Sequence, residues 1–156
     1  MKEVTIYTDG ACSGNPGKGG YGVVMMYNGH RKELSEGFRK TTNNRMELLA
    51  VIAALRALKE SCKVMLYSDS QYVINGIVKG WAVKWRKNNW IKSDKKKAIN
   101  TDLWGELLDL LEKHDVKFIW VKGHADNVEN ERCDRLAVAA AAGKKLLADT
   151  IYEKGE

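Results

Sequence analysis

No stretch of this chain approaches the roughly 18 consecutive apolar residues that a membrane span needs, so a membrane partner is not expected. Cysteine is scarce. Cys12, Cys62 and Cys133 are odd in number and lack CxxC spacing, which argues against a disulfide framework and a zinc site. A reducing compartment follows, with the cytoplasm as the default. The opening Met1-Lys2-Glu3-Val4 is a charged start into a strand and not a secretory leader. There is no internal repeat, no low-complexity tract and no linker, so the 156 residues are expected to form one domain, 1–156, around one core. Nothing marks an exposed apolar interface, and a monomer is expected.

What is abundant is positive charge, and it is local. Residues 79–97 hold eight of the 26 basic side chains (Lys79, Lys84, Arg86, Lys87, Lys92, Lys95, Lys96 and Lys97) and a single acid, Asp94. The remainder is almost neutral. A concentrated excess of this kind belongs to an element that meets a polyanion, not to general solubilisation. Trp81, Trp85 and Trp90 interleave with these cations, and Trp81 and Trp85 at i, i+4 share a helix face. Lysines on phosphates and rings on sugars would make a groove-hugging surface. The alternative is an amphipathic helix whose rings pack inward, and both readings hold if some rings anchor the helix while at least one faces a ligand.

Val4–Thr8 alternates β-branched and aromatic residues and reads as a strand ending at Asp9-Gly10. After a glycine-dense turn (residues 13–20), Tyr21–Tyr27 and Arg31–Phe38 flank Asn28-Gly29, a strong hairpin signal. Apolar residues from Met46 to Leu58 then recur at three and four, giving a helix whose start is marked by Asn43-Asn44, with Glu47 in capping-box spacing. A strand over Val64–Tyr67, a helix capped by Ser68-Asp69-Ser70, a helix over Asp102–Lys113, a strand over Val116–Val121 and an alanine-rich helix over Glu131–Ala142 follow. The tail from about 149 is polar and expected to fray. This order predicts an α/β protein with a mixed five-stranded sheet, three antiparallel strands first, and helices packed on it.

Four carboxylates sit at or near junctions of these elements: Asp9, Glu47, Asp69 and Asp134. Each has a plain alternative. Asp9 suits a turn beside Gly10, Glu47 suits a capping box, Asp69 suits an N-cap, and Asp134 suits a solvated helix face. Their convergence on one rim of the sheet would instead demand cations, because four acids in one place repel. Hard divalent ions on shared carboxylates are the machinery of in-line attack at a phosphodiester.

The joint context narrows the choice. Tyr7-Thr8-Asp9-Gly10, Ser13-Gly14-Asn15-Pro16-Gly17, Thr41-Thr42-Asn43-Asn44-Arg45-Met46-Glu47-Leu48, Ser68-Asp69-Ser70-Gln71-Tyr72, Val121-Lys122-Gly123-His124 and Asn130-Glu131-Arg132-Cys133-Asp134 follow one another in order. In these six motifs the chain resembles the type 1 ribonucleases H, in the bacterial form with a basic protrusion (here about 79–99) and no added hybrid-binding domain. The resemblance covers nearly the whole chain. It implies the ribonuclease H-like fold, with helices on both faces of the sheet, and an endonuclease that hydrolyses the RNA strand of RNA/DNA hybrids to 5′-phosphate and 3′-hydroxyl ends.

By position, the resemblance implies that Asp9, Glu47, Asp69 and Asp134 hold two Mg²⁺ ions, with Mn²⁺ as a substitute, and that His124 moves protons or helps product leave. An ordinary loop histidine is the alternative for His124. Asn15, Asn43, Asn44 and Gln71 would read the minor groove and 2′-hydroxyls, joined by main chain at Gly10 and Cys12 and by Glu47. Turn and cap formation is the competing role for the asparagines. Lys40, Thr42 and Asn100 match a pocket that grips a phosphate of the DNA strand, while Trp81, Lys84, Trp85, Arg86, Lys87 and Trp90 form the protrusion surface. The loop after His124 departs from the pattern, because related sequences often place a proline near Val128. Two competing functions remain at this level: a non-cutting hybrid-binding module, which would be expected to have lost an acid, and a DNA-acting nuclease of the same fold, which has no need of the asparagine and glutamine set.

Overall fold

The computed structural model describes residues 1–122 and 127–155. The strands are β1 (Lys2–Ser13), β2 (Gly17–Tyr27), β3 (His30–Thr41), β4 (Cys62–Ser68), β5 (Asp115–Trp120) and β6 (Leu146–Leu147), in one sheet ordered β5-β4-β1-β2-β3-β6. The helices are α1 (Asn43–Arg56), α2 (Gln71–Val78), α3 (Trp81–Lys87), α4 (Thr101–Leu111), α5 (Val128–Ala141) and α6 (Thr150–Glu153). β1, β2 and β3 pair antiparallel, whereas β4 joins β1 and β5 joins β4 in parallel. The sheet is mixed, as expected, but has six strands and not five. The extra one is a two-residue segment, too short to show a period, that pairs Leu146 and Leu147 with Gly37 and Phe38.

The hairpin at Asn28-Gly29 forms where it was expected, with both residues at positive φ, 48° and 83°. The first strand is longer than its side-chain pattern. Pairing with β2 continues through Asp9↔Gly22 to Ser13↔Lys18, so Asp9 lies inside a strand and not at its end. Backbone hydrogen bonds carry β1 across glycine-rich sequence that has no alternation to read. β2 is buried without interruption from Gly19 to Met25, as an interior strand covered on both faces must be.

One face packs on α1 and, behind it, α4. Ile6, Val23, Met46, Ile52, Leu66 and Trp104 are fully buried in this core. The other face takes the alanine-rich α5, which lies so close to β2 that a Cβ on Gly22 would run into the Cys133 carbonyl. Small residues on both sides permit that approach, and it fixes the height of α5 over the sheet.

Two helix starts differ from expectation, and at a third the expected Ser68-Asp69-Ser70 cap narrows to one residue. Thr42, not Asn44, caps α1, its Oγ1 accepting from the Arg45 N–H at 3.2 Å. Ser70, not Asp69, caps α2, its Oγ accepting from the Val73 N–H at 3.2 Å. α5 begins three residues earlier than predicted, capped by Asn127. At α1 and α2 the chosen cap leaves a neighbouring acid, Glu47 or Asp69, out of the cap. The tail expected to fray from about 149 is also tied down. Asp149 is buried against Arg45, and Arg39 pairs with Glu153 of α6 at 2.8 Å.

Candidate active site

The site forms where two neighbouring strands part. β1 and β4 pair in parallel up to Thr8↔Ser68, after which β4 ends and β1 continues beside β2. Asp9 and Asp69 are the next residues on each strand, so the two carboxylates emerge together at the carboxyl end of a parallel pair. Open α/β sheets bind ligands at such switch points. Glu47 reaches the same point from the second turn of α1. It can do so because residue 10 is glycine: a Cβ there would lie 2.6 Å from the Met46 carbonyl carbon.

Asp9, Glu47 and Asp69 each offer an oxygen within 4.8 Å of the others. Asp134, half-buried on α5, lies outside this tight group, yet its charge acts on Asp9. Three of the four expected acids therefore converge closely and the fourth stands beside them. His124 lies outside the described residues.

The acids are in electrostatic tension. Asp9 is only 3% exposed. Burial, and then the charge of Asp69, push its pKa up to about 8, against a hydrogen bond with Glu47 that pulls it down. Glu47 is raised well above its usual range by burial and by the charges of Asp9 and Asp69. Among the described residues Asp69 Oδ1 is buried with no hydrogen-bond partner, a state that ordinarily costs about 1–3 kcal/mol or more. An unsatisfied carboxylate oxygen among three mutually repelling acids is what a hard divalent cation would relieve, and an all-oxygen donor set suits Mg²⁺, Mn²⁺ or Ca²⁺. The residues fit such an ion.

The residues expected to meet a nucleic acid lie on β1, the turn after it, β3, α1, α2, α3 and the segment from there to the start of α4. Asn15 is exposed, and its Oδ1 accepts from the Asn43 N–H at 3.1 Å, joining the glycine turn to the start of α1. Asn43 and Asn44 are the first residues of that helix, half-exposed, and Gln71 opens α2 exposed. Cys12 is half-buried, its thiol lying 3.5 Å from the Thr41 carbonyl and 3.6 Å from that of Gly17, with burial raising its pKa. That is the setting of a structural thiol, not a nucleophile.

Lys40 is exposed on β3, but Asn100 is buried. In left-handed backbone at φ 59°, its amide donates to Tyr72 Oη at 3.0 Å and accepts from Arg45 at 3.3 Å. Thr42 is committed as a cap. These two side chains therefore hold the local frame.

In the protrusion, Trp81 is exposed while Trp85 packs edge-on against Trp104 with ring centres 6.1 Å apart, and Trp90 packs against the core. The rings divide between anchoring and solvent-facing roles. Lys84 and Lys87 are exposed, but Arg86 is already matched by Asp109 at 2.7 Å and Glu112 at 3.8 Å, tying α3 to α4.

Sequence reasoning missed Arg45. Its guanidinium is bound by Asp149 at 2.7 Å, Asp102 at 2.7 Å and Asn100. An arginine in the first turn of a helix reads as a surface residue, and partners more than 50 positions away leave no local signal. Trp104 was missed as a hub for the same reason: its Nε1 donates to Tyr72 Oη at 3.0 Å.

Comparison with known proteins shows the family and the fold. The RNase H family model matches residues 1–142. The chain is 68% identical over 149 residues to a ribonuclease H of Desulforamulus reducens, covering 96% of this chain and 94% of that protein. It is 57% identical over 152 residues to the ribonuclease HI of Synechocystis sp., covering 97% and 95%. Among solved structures, it superposes on the crystal structure of LC9-RNase H1, a type 1 RNase H with the type 2 active-site motif. The TM-score is 0.82 at 33% identity, over 99% of this chain and 80% of that one.

Proposed function

The chain belongs to the ribonuclease H family and is a ribonuclease H, and from that premise we propose that Asp9, Glu47, Asp69 and Asp134 form the metal-holding centre with which it cuts the RNA strand of RNA/DNA hybrids. The observation that carries the assignment is the approach of Asp9, Glu47 and Asp69 within 4.8 Å, with Asp69 Oδ1 buried and without a hydrogen-bond partner among the described residues. Two Mg²⁺ ions, or Mn²⁺ in their place, would supply activation of a water and stabilisation of the departing 3′ oxygen. The protein's own contribution is to hold the four acids, exclude competing geometries and seat the duplex.

Glu47 and the amides of Asn15, Asn43, Asn44 and Gln71, with main chain at Gly10 and Cys12, read the 2′-hydroxyl side of the minor groove. Lys40, with Thr42 and Asn100 framing it, takes a phosphate of the DNA strand. His124 serves proton movement or product release. Trp81, Lys84 and Lys87 track the backbone, with Trp85, Trp90 and Arg86 fixing the element that carries them. Contacts of this kind are to backbone and sugar, so sequence preference is small. The products carry 5′-phosphate and 3′-hydroxyl ends. The enzyme works as a cytoplasmic monomer on replication primers and R-loops. No helix among the described residues is long and apolar enough to cross a membrane.

The test is cleavage of an end-labelled RNA paired with DNA, paired with RNA, and single-stranded, each in Mg²⁺ and in EDTA. Cutting confined to the hybrid with metal, and lost in Asp9→Asn, is expected. Tight hybrid binding without metal-dependent cutting would overturn the catalytic assignment.

A further inference from the structure

Trp120 closes β5 with 46% of its surface exposed, a large apolar area left in water at the mouth of the site. Its Nε1 donates to the Asp69 carbonyl at 3.3 Å, so the ring stands directly beside a candidate metal ligand. The ring also walls an open cleft of about 410 Å³ with Gln71, Ile74, Asn75 and Lys79. Gln71, Asn75 and Lys79 are spaced i, i+4, i+8, so they form one polar stripe along α2 and its cap, about 12 Å long. The stripe begins with an amide next to the acids and ends with an ammonium at the protrusion. There the Lys79 Nζ lies 5.2 Å from the centre of the Trp81 ring. A second open cleft, lined by Trp81, Lys84, Trp85, Asn88, Ile91 and Ser93, continues beyond it.

We propose that this cleft is a binding track for the sugar–phosphate backbone of the hybrid beside the scissile phosphate, with a sugar against the Trp120 ring and a phosphate on Lys79. The inference rests on the ribonuclease H reading of the carboxylate site and extends it to two residues that the reading does not use. The chemistry selects this occupant. A flat exposed ring offers a face to a sugar or base without reading its identity, amides along the floor hydrogen-bond hydroxyls and phosphate oxygens, and the one cation sits at the end away from the carboxylates. A lone anion would be repelled at the Asp69 end, whereas a backbone whose scissile phosphate would be held there by cations on the acids continues toward the lysine. The track thus joins the carboxylate centre to the basic protrusion across the outer face of α2.

The experiment compares Trp120→Ala, Trp120→Phe and Lys79→Gln with the unaltered enzyme. Steady-state cleavage is measured in Mg²⁺, and binding of the same fluorescent hybrid is measured in EDTA over a range of salt. Trp120→Ala should raise both KM and the hybrid Kd about 5–10-fold, with kcat within about twofold. Trp120→Phe, which keeps a ring and loses the N–H, should retain most of the affinity. Lys79→Gln should weaken binding about 2–5-fold and lower the slope of log K against log salt by about one. Unchanged KM and Kd in Trp120→Ala and Lys79→Gln would overturn the proposal. So would an equal loss of kcat in the Phe and Ala variants at constant KM, because Trp120 would then act only through its bond to Asp69. Failure of the unaltered enzyme to cut would count against the catalytic reading, and the EDTA binding series would still decide the track.

Discussion

Replacing Asp9 by Asn should abolish cleavage and, without metal, make the protein more stable. Burial and the neighbouring acids move the Asp9 pKa from 3.8 to about 8. A carboxyl whose pKa is higher in the folded state binds more protons folded than unfolded between about pH 4 and pH 8. Metal-free stability therefore falls as pH rises through that window. At about 1.4 kcal/mol per unit, ionising Asp9 in the folded chain at pH 8 costs at most about 5 kcal/mol. Asp69 is only half-buried, so solvent screens part of the repulsion, and a gain of roughly 1–3 kcal/mol is expected for the variant. That corresponds to a Tm rise of about 2–10 °C for a chain of this size. At pH 5 the linkage leaves roughly a third of the pH 8 gain.

The assay is thermal unfolding in EDTA at both pH values, repeated in saturating Mg²⁺. There the unaltered protein should recover stability by mass action while the variant recovers less. A variant no more stable than the parent in EDTA at pH 8, or a gain equal at both pH values, would refute the account of the site as mutually repelling acids awaiting a cation.

Four further outcomes follow from named contacts. Arg45→Ala should destabilise by about 3–5 kcal/mol, because it leaves the buried Asp149 and half-buried Asp102 carboxylates uncompensated; urea unfolding measures it. Burial pushes the Asp102 pKa up, but the Arg45 hydrogen bond and charge outweigh it and hold the carboxyl below its usual value. The stability it contributes is present above about pH 4 and is lost as pH falls further, so Asp102→Asn should remove part of the acid-unfolding slope. Gly22→Ala should cost about 1–3 kcal/mol and lower kcat, since the added methyl displaces α5 and with it Asp134; a normal kcat with unchanged Tm would show that the approach is slack. Neutralising Lys84, Lys87, Lys95 and Lys96 together should weaken hybrid binding whatever the sequence and flatten its salt dependence, and an unchanged slope would remove the protrusion from the interface.

The sequence exposed those parts of this structure whose cause is local. The Asn28-Gly29 hairpin, the amphipathic α1 and the short β4 were legible because turn chemistry and period are written in neighbouring residues. So were the three acids that the fold brings together, Asp9, Glu47 and Asp69, since each stands in a distinctive short motif. Their roles were not legible one by one. Glu47 in capping spacing and Asp69 before a helix both look like caps, and only the structure shows that Thr42 and Ser70 do the capping and free both carboxylates. The position of Asp9 inside β1 was hidden because glycine-rich pairing leaves no alternation to detect. Arg45 with Asp102 and Asp149, and Trp120 over Asp69, were hidden by sequence distance. The pairing of Arg86 with Asp109 was hidden because a cation in a cationic run carries no mark of the acids that face it from another helix.

Arg45 and Glu47 stand two residues apart, about 200° around α1, so they leave the helix on nearly opposite sides. Glu47 is directed at Asp9 and Asp69, whose charges oppose its presence there. Arg45 is directed the other way, into Asp102, Asp149 and Asn100, and Thr41 adds a 2.7 Å hydrogen bond to Asp149. Repulsion among unneutralised acids would move the start of α1 away from β1 unless something held it. The buried guanidinium, bonded on several sides to groups from α4 and from the chain leading into α6, supplies that restraint. The C-terminal segment is therefore part of what keeps the acids close together before a cation arrives. A site that must bring like charges within 4.8 Å in advance of its ligand needs an anchor of this kind behind it, because the attraction that would justify the arrangement comes only with the metal.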